Sequence, residues 1–191
     1  MMLETLGACL TILGAAGAGQ CICRDKKEKV RQLFLLAETF SMVAGEIAYS
    51  RISLPEVLME VGEKRKTAAG ADSEKEQVTA KLGEALFAAG SRMCDGSGRD
   101  FSEVWQEAMG QFVQYTGLDP GERELLLSFP ACVWYRDGSR QQAAVALFSE
   151  KLQEAAEAAA QKERENGRVT MAVSLACGTL AAILLKLASN Q

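Results

Sequence analysis

The apolar run from Val169 to Leu187 constrains this chain more than any other stretch. Apart from a few hydroxyl side chains, it contains only apolar or small residues until Lys186. A helical run of this length can cross the hydrocarbon core of a bilayer, at about 1.5 Å of rise per residue. The residues just before it offer no second apolar face on which a buried soluble helix would pack. We therefore predict a transmembrane helix over 169–187, followed by a tail over 188–191.

A second apolar run extends from Leu6 to Cys23. Basic residues follow this run and Glu4 precedes it, whereas a secretory signal peptide carries its basic residues first. We therefore interpret 1–23 as a transmembrane helix. Basic residues also precede the run at 169–187, so the positive-inside rule places the central region, 24–168, in the cytoplasm. The predicted localisation is a cell membrane, with two spans and both termini on the far side.

The first half of the central region shows the three- and four-residue spacing of amphipathic helices. Ser53 with Glu56, and Ser73 with Glu76, form capping patterns that predict the starts of two of these helices. The predicted buried residues are Leu33, Leu36, Phe40, Val43 and Ile47 in the first helix, Leu54, Val57, Leu58 and Val61 in the second, and Val78, Leu82, Leu86 and Ala89 in the third.

A break at Asp95 to Gly98 precedes the second half, and it leaves open whether the domain is one bundle or two halves. Asp100 and Asp119 are predicted helix caps, and Pro130 is predicted to kink or stop a helix. From Arg140 onward we expect one continuous helix that enters the second span. The residues predicted to face inward in the helix after Asp100 are Val104, Trp105, Ala108, Phe112 and Tyr115. Leu125, Leu126 and Phe129 follow the start at Asp119, and the continuous helix includes Ala144, Leu147, Leu152 and Ala155.

The predicted fold class is all-α, with a helical-bundle cytoplasmic domain between an N-terminal and a C-terminal transmembrane helix. Functional chemistry is sparse in this chain. Histidine is absent, which removes the usual general base and the commonest metal ligand. Cys94 and Cys132 are interpreted as small buried side chains, and no glycine-rich phosphate-binding motif ends in lysine. We therefore predict no enzymatic activity, no cofactor, no metal site and no small-molecule substrate. Scattered charge and a net charge of -4 also argue against nucleic acid.

Turns between the predicted helices contain the candidate partner contacts. Arginine and aromatic residues dominate binding hot spots, although solvated turns have the same composition. Trp105 is assigned to the core instead, because it lies on a predicted inward face. The candidate contact residues are Arg51, Trp134, Arg136, Asp137 and Arg140.

Residues spread along almost the whole chain resemble the stage III sporulation protein AB family. The chain departs from the family pattern at Ser53, Pro130 and Trp134, which bears on where the helix before Asp137 ends. The residues that carry the resemblance, in order, are Glu46, Ile47, Tyr49, Leu54, Glu56, Trp105, Thr116 to Leu118, Phe129, Asp137, Gln141 and Gln142.

The resemblance implies a membrane component of the export apparatus that joins the mother cell to the forespore in endospore-forming bacteria. The family's helical domain is similar to the platform domain of type II secretion systems, which implies a scaffold that docks a cytoplasmic sporulation ATPase. Implied partners are that ATPase, other membrane components of the same apparatus, and membrane lipids. The alternatives are a membrane-anchored signalling or regulatory adaptor and, third, a membrane enzyme.

Overall fold

The structure is a computed structural model of the chain, and it describes residues 2–50, 52–68, 74–96, 98–133 and 138–188. Over these ranges it contains helices and no strand, which confirms the predicted all-α class. The helices are α1 (Met2–Ser50), α2 (Leu54–Ala68), α3 (Glu74–Cys94), α4 (Phe101–Val113), α5 (Pro120–Leu127), α6 (Phe129–Cys132) and α7 (Gly138–Ala188).

The chain divides into two compact units. The central unit is Lys29–Glu157, and the terminal unit combines Met1–Glu28 with Ala158–Gln191. The break predicted at Asp95 to Gly98 is a turn inside the central unit, where Gly96 and Gly98 adopt positive φ angles of 74° and 67°. Helix α7 is continuous from Gly138 to Ala188, as predicted from the absence of helix-breaking residues.

The evidence for membrane crossing is the length and the apolar composition of a helix. Among the described residues, one stretch near the N-terminus, Arg24–Ser50, is long and apolar enough to span a bilayer. Part of this stretch is buried inside the protein, and the core helix of a soluble protein meets the same criterion. The predicted spans at 1–23 and 169–187 fall within α1 and α7, and the two-span topology stays a prediction.

The core of the central unit is centred on an aromatic cluster formed by Phe40, Trp105, Phe129 and Phe148, which come from α1, α4, α6 and α7. The ring centroids of Phe40 lie 4.8 Å from Phe129 and 4.9 Å from Phe148. Trp105 is fully buried, as predicted, and its indole N–H donates a hydrogen bond of 3.0 Å to the carbonyl oxygen of Leu126. One aromatic residue from each helix thus joins the four helices.

The packing of α2 against α3 depends on glycine. A Cβ atom at Gly62 would lie 2.7 Å from the backbone oxygen of Gly83, and one at Gly90 would lie 2.4 Å from the backbone oxygen of Pro55. Real Cβ atoms do not approach backbone oxygens this closely, so the two helix backbones are in direct contact at these points. These glycines were not recognised in the sequence as packing residues.

The predicted helix starts are confirmed where the structure describes them. At α2, the backbone N–H and hydroxyl of Ser53 both donate to Glu56, at 2.9 Å and 2.6 Å. At α5, the backbone N–H of Asp119 donates to Glu122 at 2.7 Å. Asp100 precedes α4 in extended conformation, but its side chain makes no cap hydrogen bond. Ser73 lies outside the described residues.

Several burial predictions are wrong. Tyr115 is 61% exposed because α4 ends at Val113 and the turn carries this side chain outward. In α7, Leu147 is 54% exposed, whereas Val145, Phe148 and Leu152 are buried. Cys94 is exposed at the end of α3 rather than buried. The other predicted core positions of α1 to α4 are buried.

Pro130 lies in a different helix from the one that it was predicted to kink or stop. Helix α5 already ends at Leu127, and Pro130 lies in the first turn of the short helix α6. The first turn accepts proline because its backbone N–H groups have no partner within the helix. Pro130 therefore occurs where a new short helix begins, after α5 has ended.

Candidate interaction site

Only one of the five predicted contact residues lies in the described part of the chain. Arg140 is exposed in the first turn of α7. Arg51, Trp134, Arg136 and Asp137 lie outside the described residues. The predicted clustering of these five residues therefore stays a prediction.

Arg140 lies at the edge of a groove of about 460 Å³ between α6 and α7. The groove was not recognised in the sequence. Two alanines and Leu147 give the groove an apolar surface, and Cys132 contributes from α6. The lining residues that the structure describes are Cys132, Arg140, Ala143, Ala144, Leu147, Phe148 and Lys151.

The floor of the groove is part of the aromatic core. Phe148 is only 1% exposed, and its ring centroid lies 5.0 Å from that of Phe129. The next residue, Ser149, is buried and donates a hydrogen bond of 2.9 Å to the backbone oxygen of Ala37 in α1. This part of α7 is therefore fixed to α1 and α6. The groove is held by the core of the central unit.

Among the described residues, the charged ones that line the groove are Arg140 and Lys151. Arg140 and Lys151 are both exposed. Lys151 has no carboxylate within ion-pair distance among the described residues, although Glu150 and Glu154 are close in sequence. In the described part of the chain, the apolar centre of the groove thus lies between two basic side chains of α7.

Elsewhere the charged surface is largely paired within the central unit. On α4, the carboxylate of Glu107 forms ion pairs with Arg92 of α3 at 2.8 Å and with Arg99 at 3.0 Å. The hydrogen bond from Arg99 and the nearby charge of Arg92 lower the pKa of the Glu107 carboxyl. On α2, Lys64 pairs with Glu46 of α1 at 2.7 Å. These pairs connect helices of one unit.

The exposed aromatic residues that the structure describes do not line this groove. Tyr49 is 92% exposed at the end of α1, and Phe34 is 41% exposed on the same helix. Lys81 lies 5.6 Å above the ring of Tyr115. Within the described ranges, no group of three or more cysteine, aspartate or glutamate side chains is arranged to hold a metal ion. Of the two cavities formed by described residues, the groove between α6 and α7, at about 460 Å³, is larger than the one of about 190 Å³ between α3 and α4.

Comparisons with known proteins identify the family. No curated protein sequence gives a significant match. A solved structure described as stage III sporulation protein AB has the same fold, with a TM-score of 0.56 and 18% sequence identity, over 72% of this chain and 98% of that one. The sequence profile described as stage III sporulation protein AB matches residues 4–186. Since this match covers nearly the whole sequence, the chain belongs to the stage III sporulation protein AB family, as its resemblance implied.

Proposed function

We propose that this chain is a membrane platform of the sporulation export channel between mother cell and forespore, and that it docks a cytoplasmic ATPase. The observation that carries the proposal is the family match over residues 4–186. In this proposal the segments 1–23 and 169–187 anchor the protein among membrane lipids and other channel components. The central unit faces the cytoplasm and performs no chemistry of its own.

The central unit has the properties that a scaffold needs. Its four-helix aromatic cluster and the glycine contacts between α2 and α3 fix the relative positions of the helices. A rigid unit loses little conformational entropy when it binds a partner, so more of the contact energy appears as affinity. Rigid presentation of a surface therefore favours a platform. Fold alone does not specify function, so the ATPase requires a direct test.

The test is co-purification of the tagged full-length protein from membranes of sporulating cells. The native protein is compared with a variant that combines Arg136→Glu and Arg140→Glu. A matched control carries Arg123→Glu, which reverses an exposed cation of α5 that has no carboxylate within ion-pair distance among the described residues. We expect the sporulation ATPase to be recovered with the native protein and with the control, and to be lost with the Arg136/Arg140 variant.

The outcomes separate the parts of the proposal. Recovery of the ATPase with all three proteins would retain the platform function but contradict docking at the turn before α7. Recovery with none of them, after mild extraction, would contradict the platform function. Capture of an exchangeable regulatory protein instead would favour the membrane-anchored adaptor.

A further inference from the structure

We propose that the side chains of Lys26, Lys27 and Arg164 bind the headgroups of anionic lipids at the ends of the two apolar runs of the terminal unit. This inference rests on the proposed function, in which the segments 1–23 and 169–187 lie in a membrane. It adds to that function a preference for one chemical class of lipid. The partner is a negatively charged membrane surface.

The three cations lie at the depth of the lipid headgroups when the apolar runs fill the hydrocarbon core. Helix α1 continues beyond Cys23 and α7 is already helical before Val169, so axial distances follow from the residue count. Lys26 and Lys27 lie about 4 to 6 Å beyond the first run, and Arg164 lies about 8 Å before the second. The polar layer on each side of a bilayer is about 5 to 8 Å thick. The three positions therefore coincide with this layer.

Both basic segments belong to one compact unit, which combines Met1–Glu28 of α1 with Ala158–Gln191 of α7. Lys27 and Arg164 are exposed, and Lys26 is partly exposed. Side chains of a helix lean toward its N-terminus, so those of Lys26 and Lys27 lean toward the apolar run that precedes them. A lysine stem can lie along apolar surface while its ammonium group reaches the headgroups.

The charges of these residues are not used inside the described part of the protein. Most exposed cations of the central unit are paired, as Lys64 is with Glu46 at 2.7 Å. Among the described residues, Lys26, Lys27 and Arg164 form no ion pair. An anionic headgroup would supply the opposite charge at the membrane surface.

Carboxylates in the same segments weaken this attraction without cancelling it. The segments 24–28 and 162–168 together contain six basic and four acidic residues. One of the acidic residues, Glu165, accepts a hydrogen bond of 3.1 Å from Gln161, which lies one helical turn farther from the apolar run. This bond directs the Glu165 carboxylate away from the run. The remaining excess of positive charge favours anionic over zwitterionic lipid.

The experiment measures which lipid the full-length protein immobilises in phosphatidylcholine vesicles. Spin-labelled phosphatidylglycerol, which is anionic, and spin-labelled phosphatidylcholine are added separately in trace amounts. Electron paramagnetic resonance gives the immobilised fraction of each. Both leaflets have the same composition, so the orientation of the protein does not affect the comparison. We expect an about fivefold preference for phosphatidylglycerol, which should decrease as the salt concentration rises.

Two variants with the same net charge locate the preference. Lys27→Gln combined with Arg164→Gln should lower the preference to about twofold, and addition of Lys26→Gln should bring it close to equality. The matched control combines Arg123→Gln and Lys151→Gln, which remove two exposed cations of the central unit, and it should retain the native preference. Glutamine is a good helix former, so circular dichroism should show native helix content in every variant.

Three results would overturn the proposal. Equal immobilisation of both lipids by the native protein would contradict headgroup preference while retaining the membrane anchors. An equal loss of preference in the matched control would mean that net charge, and not these three residues, is responsible. Immobilisation of neither lipid would contradict the anchors as well. Recovery of the ATPase is measured separately by co-purification, so failure of this proposal and failure of the platform function are distinguishable.

Discussion

The packing between α2 and α3 differs from the packing between α6 and α7. Helices α2 and α3 pack backbone against backbone, and the glycines between them leave no room for a side chain. Between α6 and α7, by contrast, the aromatic core closes below the surface and leaves a groove with a half-exposed leucine above it. The first side is closed by its own packing. The second retains apolar surface that a partner can bury, so we expect substitutions on the first side to affect folding and those on the groove surface to affect binding.

The largest expected effect is at the floor of the groove. Phe148→Ala should lower the free energy of unfolding by about 3 to 5 kcal/mol, because it leaves a cavity in a buried aromatic cluster. Thermal unfolding of the full-length protein in detergent, followed by circular dichroism, measures this effect. The neighbouring substitution Leu147→Ala is the control, and it should change stability by less than about 0.5 kcal/mol. Equal losses of unfolding free energy at the two positions would contradict the distinction between a buried Phe148 and an exposed Leu147.

The glycine contact predicts the next largest effect. Gly90→Ala should destabilise the protein by about 1 to 3 kcal/mol, because the new methyl group would meet the backbone oxygen of Pro55 and force α2 and α3 apart. This loss should exceed the gain of about 1 kcal/mol that alanine gives over glycine inside a helix. The same unfolding measurement tests it.

Gly110→Ala is the matched control for that prediction. Gly110 lies inside α4, and a Cβ atom there would have no neighbour within 4 Å. At Gly110 only the higher helix propensity of alanine over glycine acts, so the free energy of unfolding should rise by up to about 1 kcal/mol. If both substitutions stabilise the protein, the close approach of α2 and α3 does not constrain it.

The sequence predictions of burial were most accurate where the hydrophobic pattern was clearest. In α1, Leu33, Leu36 and Phe40 alternate with polar residues, so only one face is apolar, and that face is buried. The start of α7 contains alanine on several faces, so its buried phase depends on the large side chains. Phe148 is buried and Leu147 is not, and the sequence pattern did not distinguish them.

Two other features lie beyond a pattern of hydrophobicity. Glycine has no side chain to count, so Gly62 and Gly90 gave no periodic signal, although α2 and α3 depend on them. The groove requires α6 and α7 to lie side by side, which a local pattern does not specify. Of the candidate contacts proposed from turns, Arg140 is the one that the structure describes, and it lines this groove. A search for an apolar residue between cations at helical spacing would have indicated the stripe from Arg140 through Leu147 to Lys151, but not the groove beside it.

The smallest expected effect concerns the connection between α3 and α4. The hydrogen bond from Arg99 and the charge of Arg92 lower the pKa of Glu107. Its ion pairs therefore stabilise the folded state above the unfolded-state pKa of 4.5, and this contribution is lost as the pH falls through the lower folded-state pKa. Glu107→Gln should accordingly lower the unfolding temperature slightly at pH 7, and the difference from the native protein should shrink and disappear as the pH falls below about 4.5.

Unfolding temperatures of the native protein and Glu107→Gln, measured over a series of pH values, test whether the difference between them shrinks as the pH falls. A difference that is constant from pH 7 to pH 3 would mean that the carboxyl acts through its shape or hydrogen bonding and not through its charge. Glu107 is exposed, so the effect is screened by solvent and should be smaller than that of the glycine contact. Charge thus adjusts the α3–α4 connection, while packing at the aromatic core and at the α2–α3 glycines holds the unit together.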